Sequence, residues 1–136
     1  MRSSRRRGGG TSEAIALKNA GRRGKGVFAQ RRFRAGDVIE RAPVLVLSDA
    51  DWKRVRKTKL FDYAFCWGED GELAAIAMGL GSYYNHDEAP NARSLEKPDE
   101  GVLEFIALRD IAPGEEIVID YTGAYEDARV WFDVLP

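Results

Sequence analysis

The chain has 136 residues, of which 44% are apolar and 32% are charged. This composition is typical of one globular domain rather than of a disordered or fibrous protein. The apolar runs are too short to span a bilayer, so we expect no membrane segment. One cysteine, Cys66, and one histidine, His86, exclude an internal disulfide and leave too few ligands for a structural zinc site. We expect no metal and a reducing, intracellular compartment.

The net charge is −1, but basic and acidic residues are separated along the chain. Residues 1–34 contain eleven Lys and Arg against one acid, whereas residues 60–136 contain four against seventeen. Residues 1–12 are rich in Arg, Ser and Gly, which predicts a disordered basic arm. Such an arm either contacts nucleic acid or is only a solvated tail, while the acidic remainder favours a Lys/Arg-rich peptide or another cationic ligand.

The predicted elements are mostly short strands separated by Gly and Pro turns. They cover residues 14–18, 27–30, 38–47, 61–67, 73–78, 102–108 and 116–121, with the long segment read as one or two strands broken near Pro43. Ser48 is a typical N-cap, and it predicts one helix over about residues 49–58. Turns are expected at residues 69–71 and 113–114. The pattern favours a mainly β domain.

Three segments contain residues suited to a functional site. Gly24-Lys25-Gly26 precedes a strand and allows a ligand to approach the backbone closely. Asn85-His86-Asp87-Glu88-Ala89-Pro90-Asn91 holds the single histidine between amides that are costly to bury unpaired, so it predicts either a fixed polar knot or the wall of a ligand site. Residues 114–121 end in Asp120-Tyr121, and taken alone they could be an ordinary strand.

In this order and spacing, the three segments resemble the SET-domain lysine methyltransferases. The shared patterns are Gly-x-Gly-Val-Phe-Ala, Asn-His-x-x-x-Pro-Asn, and Gly-Glu-Glu-Ile leading to Asp-Tyr. The resemblance covers about residues 13–126 and is strongest to the minimal SET proteins of viruses and bacteria. It implies a mainly β, β-clip fold of small curved sheets, with a C-terminal pseudoknot and one or two short helices. Residues 127–136 would form an aromatic tail that packs on the domain.

The resemblance implies an enzyme that transfers a methyl group from S-adenosyl-L-methionine to a lysine of a basic protein or histone-like tail. The implied cofactor-binding residues are Gly24, Lys25, Gly26, Asn85, His86 and Tyr121. Tyr121 also matches the catalytic tyrosine of the family. The implied substrate lysine channel is lined by Tyr63, Ile119 and Tyr125.

Two departures from the family pattern affect these expectations. Ile119 stands where the family has an aromatic residue, and since it cannot hydrogen-bond a water beside the amine, we expect a channel that tolerates more than one methyl group. Glu88 stands where many members have Cys. The alternative function is a catalytically silent SET-like module that binds the cofactor or a basic peptide. A homodimer is favoured by the resemblance alone, because so small a SET domain leaves apolar surface to cover.

Overall fold

The computed structural model describes residues 14–122, which fold into two β-sheets joined by short helices and turns. The predicted arm at residues 1–12, Tyr125 and the tail at residues 127–136 lie outside the described residues. The strands are β1 Ile15–Asn19, β2 Lys25–Ala29, β3 Val38–Leu47, β4 Ala64–Trp67, β5 Leu73–Ala77, β6 Asn85–His86, β7 Ala92–Lys97, β8 Val102–Ala107 and β9 Glu116–Ile119. The helices are α1 Asp49–Val55 and three 3₁₀ helices, Gly21–Arg23, Lys59–Tyr63 and Pro98–Glu100.

The smaller sheet has the strand order β1-β2-β9-β6 and brings the three sequence segments together. β9 pairs antiparallel with β2, where Glu116 lies opposite Phe28. On its other side β9 pairs parallel with β6, where Val118 lies opposite Asn85 and Ile119 opposite His86. The strand near the C-terminus therefore lies between the glycine segment and the Asn-His segment.

The larger sheet has the strand order β4-β5-β3-β8-β7 and is built around the long strand β3. The first part of β3, up to Pro43, pairs with β8, and the part from Val44 onward pairs with β5. Pro43 lacks a backbone donor, but its carbonyl accepts a hydrogen bond from Met78 N at 2.8 Å. The predicted break is therefore a change of pairing partner within one continuous strand.

The helix predicted after Ser48 is present but shorter than expected. The Ser48 side chain accepts a hydrogen bond from Asp51 N at 3.1 Å, as an N-cap does. Thr58 ends the helical segment: its hydroxyl donates to Val55 O at 2.7 Å and accepts from Leu60 N at 3.2 Å. The same hydroxyl starts the 3₁₀ helix Lys59–Tyr63, so the strand that we expected from residue 61 begins only at Ala64.

Neither β6 nor β7 is predicted from the sequence. β7 forms a hairpin with β8, and its inward residues are the small Ala92 and Ser94, both buried. Small inward side chains give a weak alternation, so the apolar pattern does not show the strand. The predicted turns at residues 69–71 and 113–114 are confirmed, because Trp67 pairs with Leu73 across the first and Gly114 N bonds Ala29 O at the second.

The hydrophobic core contains residues of both sheets together with aromatic side chains from the connecting segments. Tyr84 and Phe105 are buried and stack with their ring centroids 4.1 Å apart. Phe33 and Ile111 are fully buried and form an isolated β-bridge that joins the two connecting loops. The mainly β architecture with few short helices is as the sequence predicts. Within residues 14–122, no helix is long and apolar enough to cross a membrane.

Candidate active site

Asn85 joins all three sequence segments through its side-chain amide. The amide nitrogen donates to Lys25 O at 3.1 Å and to Glu116 Oε2 at 2.7 Å. An amide nitrogen has two hydrogens, so both are used within the protein. The amide oxygen of Asn85 therefore keeps its capacity to accept a hydrogen bond from a ligand.

Gly26 lies where these side chains leave no room for another atom. A Cβ at this position would lie 2.7 Å from Asn85 Nδ2 and under 3.0 Å from Glu116 Oε2. Glu116 also forms an ion pair with Arg23, whose guanidinium donates to His86 O at 3.3 Å. The second glycine of the Gly24-Lys25-Gly26 segment thus allows two side chains to approach closely, although its backbone conformation is open to any residue.

His86 fixes the start of the segment that follows β9. Its Nδ1 accepts a hydrogen bond from Tyr121 N at 3.0 Å, so Nδ1 holds no proton and Nε2 holds the proton of the neutral ring. Asp120 Oδ1 lies 3.7 Å from the same nitrogen but accepts shorter bonds from Thr122, at 2.8 Å from its amide and 2.6 Å from its hydroxyl. The contact between His86 and Asp120 is therefore not an ion pair in this state.

The Tyr121 phenol points back to the segment before Asn85. It donates to the backbone carbonyl of Tyr84, and its ring centroid lies 5.3 Å from that of His86. Burial raises the pKa of Tyr121 to about 12, with smaller contributions from Tyr63 and Glu116, while Arg23 acts in the opposite direction. The phenol is thus neutral at physiological pH. Its hydroxyl oxygen and the carbonyl oxygen of Tyr84 lie side by side.

A profile of the SET domain family matches residues 24–122 of the chain. The chain belongs to the SET domain family. It is also 31% identical over 120 residues to the Schizosaccharomyces pombe "Histone-lysine N-methyltransferase, H3 lysine-37 specific", an alignment that covers 88% of this chain and 77% of that protein.

Two further similarities are partial or more distant. The chain is 36% identical over 64 residues to the Chaetomium globosum "Histone-lysine N-methyltransferase SET9", covering 47% of this chain and 9% of that protein. Its fold is similar to the crystal structure of the methyltransferase domain of human "Histone-lysine N-methyltransferase SETMAR", with a TM-score of 0.73, 18% identity, and coverage of 89% and 51% of the two chains. The second similarity supports the fold assignment alone.

The SET domain holds Tyr84 in place through a buried glutamate of β3. Glu40 is 7% exposed. It accepts hydrogen bonds from the Tyr84 hydroxyl at 2.8 Å and from Leu80 N at 2.9 Å. Burial raises the pKa of Glu40, although both hydrogen bonds act in the opposite direction. Glu40 therefore fixes both ends of the Leu80–Tyr84 segment that offers its last carbonyl to Tyr121.

Asn91 closes the Asn-His segment onto β9 and does not face a ligand. Its Oδ1 accepts from Val118 N at 2.8 Å and its Nδ2 donates to Glu116 O at 2.8 Å. The side chain is 1% exposed. Of the two alternatives left open by the sequence, this end of the segment is the fixed polar knot.

The implied channel residues of the SET domain have different surroundings. Tyr63 is half-buried, and its ring meets that of Tyr83 edge to face at 6.2 Å. Ile119 is 1% exposed and belongs to the hydrophobic core. Tyr125 lies outside the described residues. The structure thus brings together Gly26, Lys25, Asn85, His86 and Tyr121, with Gly24 directly before them, whereas a role of Ile119 or Tyr125 in a channel stays a prediction.

Sequence reasoning missed four residues that hold this site together: Arg23, Glu40, Tyr84 and Glu116. Glu116 is inside the Gly-Glu-Glu-Ile pattern, and Tyr84 directly precedes Asn85, so motif position could have indicated both. Arg23 directly precedes Gly24 and so has the same signal, whereas Glu40 has none. Their contacts depend on strand pairing that the sequence alone does not define.

Proposed function

We propose that this SET domain is a protein-lysine N-methyltransferase that uses S-adenosylmethionine and acts on a basic protein or histone-like tail. The observation that carries the proposal is the neutral Tyr121 phenol, bonded to Tyr84 O and joined through its backbone to His86. The name of the Schizosaccharomyces pombe relative supports the same reaction class.

The chemistry of the donor and acceptor groups fits the proposed cofactor. S-Adenosylmethionine, when bound, supplies a methyl group attached to a positively charged sulfonium. The carbonyl oxygen of Tyr84 and the phenol oxygen of Tyr121 suit that charge, and weak C–H···O contacts to such oxygens help to align a polarised methyl group. The amide oxygen of Asn85 suits an ammonium group, and the partly exposed guanidinium of Arg23 suits a carboxylate.

Backbone groups provide the remaining proposed contacts. β6 is an edge strand of the described sheet, so the side of Asn85 and His86 that faces away from β9 has no strand partner among the described residues. We propose that main-chain groups on this side form hydrogen bonds to an adenine ring. Gly24, Lys25 and Gly26 lie across β9 from this edge and would line the amino-acid end. These assignments explain why an edge of only two residues is fixed by so many side-chain contacts.

In the proposed reaction the protein residues position the reactants, and Tyr121 does not take the substrate proton as a base. A free lysine amine has a pKa of about 10.4 and must lose its proton before it can attack. Since the pKa of Tyr121 is about 12, its phenolate is too scarce at neutral pH to serve as that base. An apolar channel lowers the lysine pKa by desolvation, and fixed alignment supplies rate by proximity.

The test is transfer of labelled methyl groups from the cofactor to histones and to a cell lysate. We expect transfer by the wild-type chain, a loss of at least about tenfold in Tyr121→Phe, and normal transfer by Tyr83→Phe, which removes an exposed phenol outside the hydrogen-bonded site. Full activity of Tyr121→Phe would contradict the assignment. Calorimetric cofactor binding without transfer would instead favour the catalytically silent binding module.

Further expectations stay predictions. We propose that the channel accepts more than one methyl group because Ile119 replaces an aromatic residue, and a product that is only monomethylated under excess cofactor, seen by mass spectrometry, would contradict this. Four other expectations also await tests. They are the narrower resemblance to minimal viral and bacterial members, intracellular action, a homodimer, and nucleic-acid contact through residues 1–12.

A further inference from the structure

The segment between β3 and β4 displays five basic side chains within seven residues. All are exposed, and we define the α1 basic surface as Lys53, Arg54, Arg56, Lys57 and Lys59. Residues 52–61 contain no acid. This surface therefore concentrates positive charge on a domain whose sequence from Leu60 onward is strongly acidic.

These cations differ from four arginines elsewhere in the domain that do have carboxylate partners. Ion pairs neutralise Arg23, Arg32, Arg41 and Arg109 through Glu116, Asp110, Glu104 and Glu115, respectively. In contrast, no member of the α1 basic surface has an ion pair within residues 14–122. A cluster of like charges without compensation is unfavourable unless solvent or an anionic partner offsets the repulsion.

The backbone that carries the surface is fixed by local contacts. Ser48 caps the start of α1, and Thr58 bonds to both Val55 O and Leu60 N. The rings of Trp52 and Phe61 stack across the segment, with centroids 5.9 Å apart and planes inclined by 18°. The backbone that carries the charges is therefore ordered, and binding of a partner would not have to order it.

We propose that the α1 basic surface binds the phosphate backbone of a nucleic-acid duplex. Three of its five cations are lysines, a residue type that is depleted at protein–protein interfaces but common at phosphate contacts. The acidic remainder of the domain repels a polyanion elsewhere and so directs it to this surface. The 3₁₀ helix that contains Lys59 ends at Tyr63. If the proposed function holds, a bound duplex would lie beside the channel and favour substrates that are themselves bound to nucleic acid.

Three charge-matched variants of the full chain test the proposal. The first is Arg56→Gln/Lys57→Gln/Lys59→Gln on the α1 basic surface, and the second is Arg5→Gln/Arg6→Gln/Arg7→Gln in the arm. The control is Lys18→Gln/Arg34→Gln/Lys97→Gln, which removes the same charge elsewhere. Fluorescence anisotropy with a duplex of about 20 base pairs, between about 50 and 200 mM salt, gives the affinity and its salt dependence.

We expect the surface variant to weaken binding at least about tenfold relative to the control and to reduce the slope of log K against log salt by about 2 to 3. The inference is overturned if the surface variant binds the duplex with the same affinity as the control. This outcome counts against it both when the wild-type chain binds through the arm and when the wild-type chain does not bind. It is also overturned if polyglutamate or anionic vesicles bind the surface as tightly as the duplex at equal charge concentration. Methyl transfer to a short free peptide should be unchanged in the surface variant, so failure of the proposed activity and failure of duplex binding are seen separately.

Discussion

Replacing Gly26 with alanine tests whether the site depends on the close approach of Asn85 and Glu116. The added Cβ would lie 2.7 Å from Asn85 Nδ2 and under 3.0 Å from Glu116 Oε2. Because Gly26 is buried in a sheet, the two side chains must move rather than the backbone. The expected result is loss of the Asn85–Glu116 hydrogen bond and weakening of the Arg23–Glu116 ion pair.

The size of the effect follows from what those contacts contribute. A buried hydrogen-bonding group that loses its partner costs about 1–3 kcal/mol. The ion pair adds only about 0.2–1 kcal/mol, since the Arg23 side chain is 43% exposed although that of Glu116 is 12% exposed. We therefore expect Gly26→Ala to lower the free energy of unfolding by about 1–4 kcal/mol, measured by urea denaturation. Cofactor affinity, measured by calorimetry, should fall with it.

A double-mutant cycle with Glu116→Ala separates crowding from other causes. Without the Glu116 carboxylate the Asn85 amide can move aside, so Gly26→Ala should cost at least about 1 kcal/mol less in that background. The control is Gly101→Ala, whose φ of +64° imposes backbone strain but whose Cβ would meet no described atom within 4 Å. Its cost should be the same with or without Glu116. If the costs of Gly26→Ala and Glu116→Ala simply add, the crowding argument is wrong.

Three further predictions concern ionisation and capping. Tyr121 should ionise near pH 12 in an absorbance titration. Because its pKa is raised in the folded state, the stability that it contributes is present below pH 10 and is lost as the pH rises to about 12. The Tyr121→Phe variant should show a smaller loss of stability over this pH range. Glu40 also has a raised pKa in the folded state. As the pH rises above 4.5, the wild-type chain should therefore lose stability relative to Glu40→Gln, by up to about 1.4 kcal/mol per pH unit. A difference in unfolding free energy between the two chains that does not change with pH would contradict this. Ser48→Ala should cost about 0.5–2 kcal/mol in chemical denaturation, whereas no change would mean that the cap is not needed.

The parts of the fold that local chemistry determines could be predicted from the sequence. Ser48 starts α1 because its side chain replaces a missing backbone partner, and the turn at residues 69–71 joins two apolar strands as expected. β7 could not be predicted, because its buried residues Ala92 and Ser94 have small side chains that give little apolar alternation. The change of partner at Pro43 depends on two other strands, so it too is absent from any local pattern.

The candidate site shows the same division between what the sequence pattern predicts and what depends on strand pairing. Gly26, Asn85, His86 and Tyr121 could be identified because their types and order match a known pattern. Their physical interdependence could not, because Arg23 and Glu116 are 93 residues apart and meet only when β2 and β9 pair. The motif thus indicates which residues matter, while the strand register determines which atoms meet.

The position of Glu40 shows how a buried carboxyl group holds part of the candidate site in place. The Tyr121 phenol needs an oxygen acceptor at one position, and the Tyr84 carbonyl supplies it from a segment without regular secondary structure. A loop with no strand partner would move, so its tyrosine is held by a carboxylate on the central strand of the larger sheet. A neutral side chain with one acceptor atom could not hold both Leu80 N and the Tyr84 hydroxyl as a carboxylate does. Burial of that carboxylate in the core raises the pKa of Glu40. The same carboxylate fixes the position of the Tyr84 segment, whose carbonyl accepts the hydrogen bond from the Tyr121 phenol.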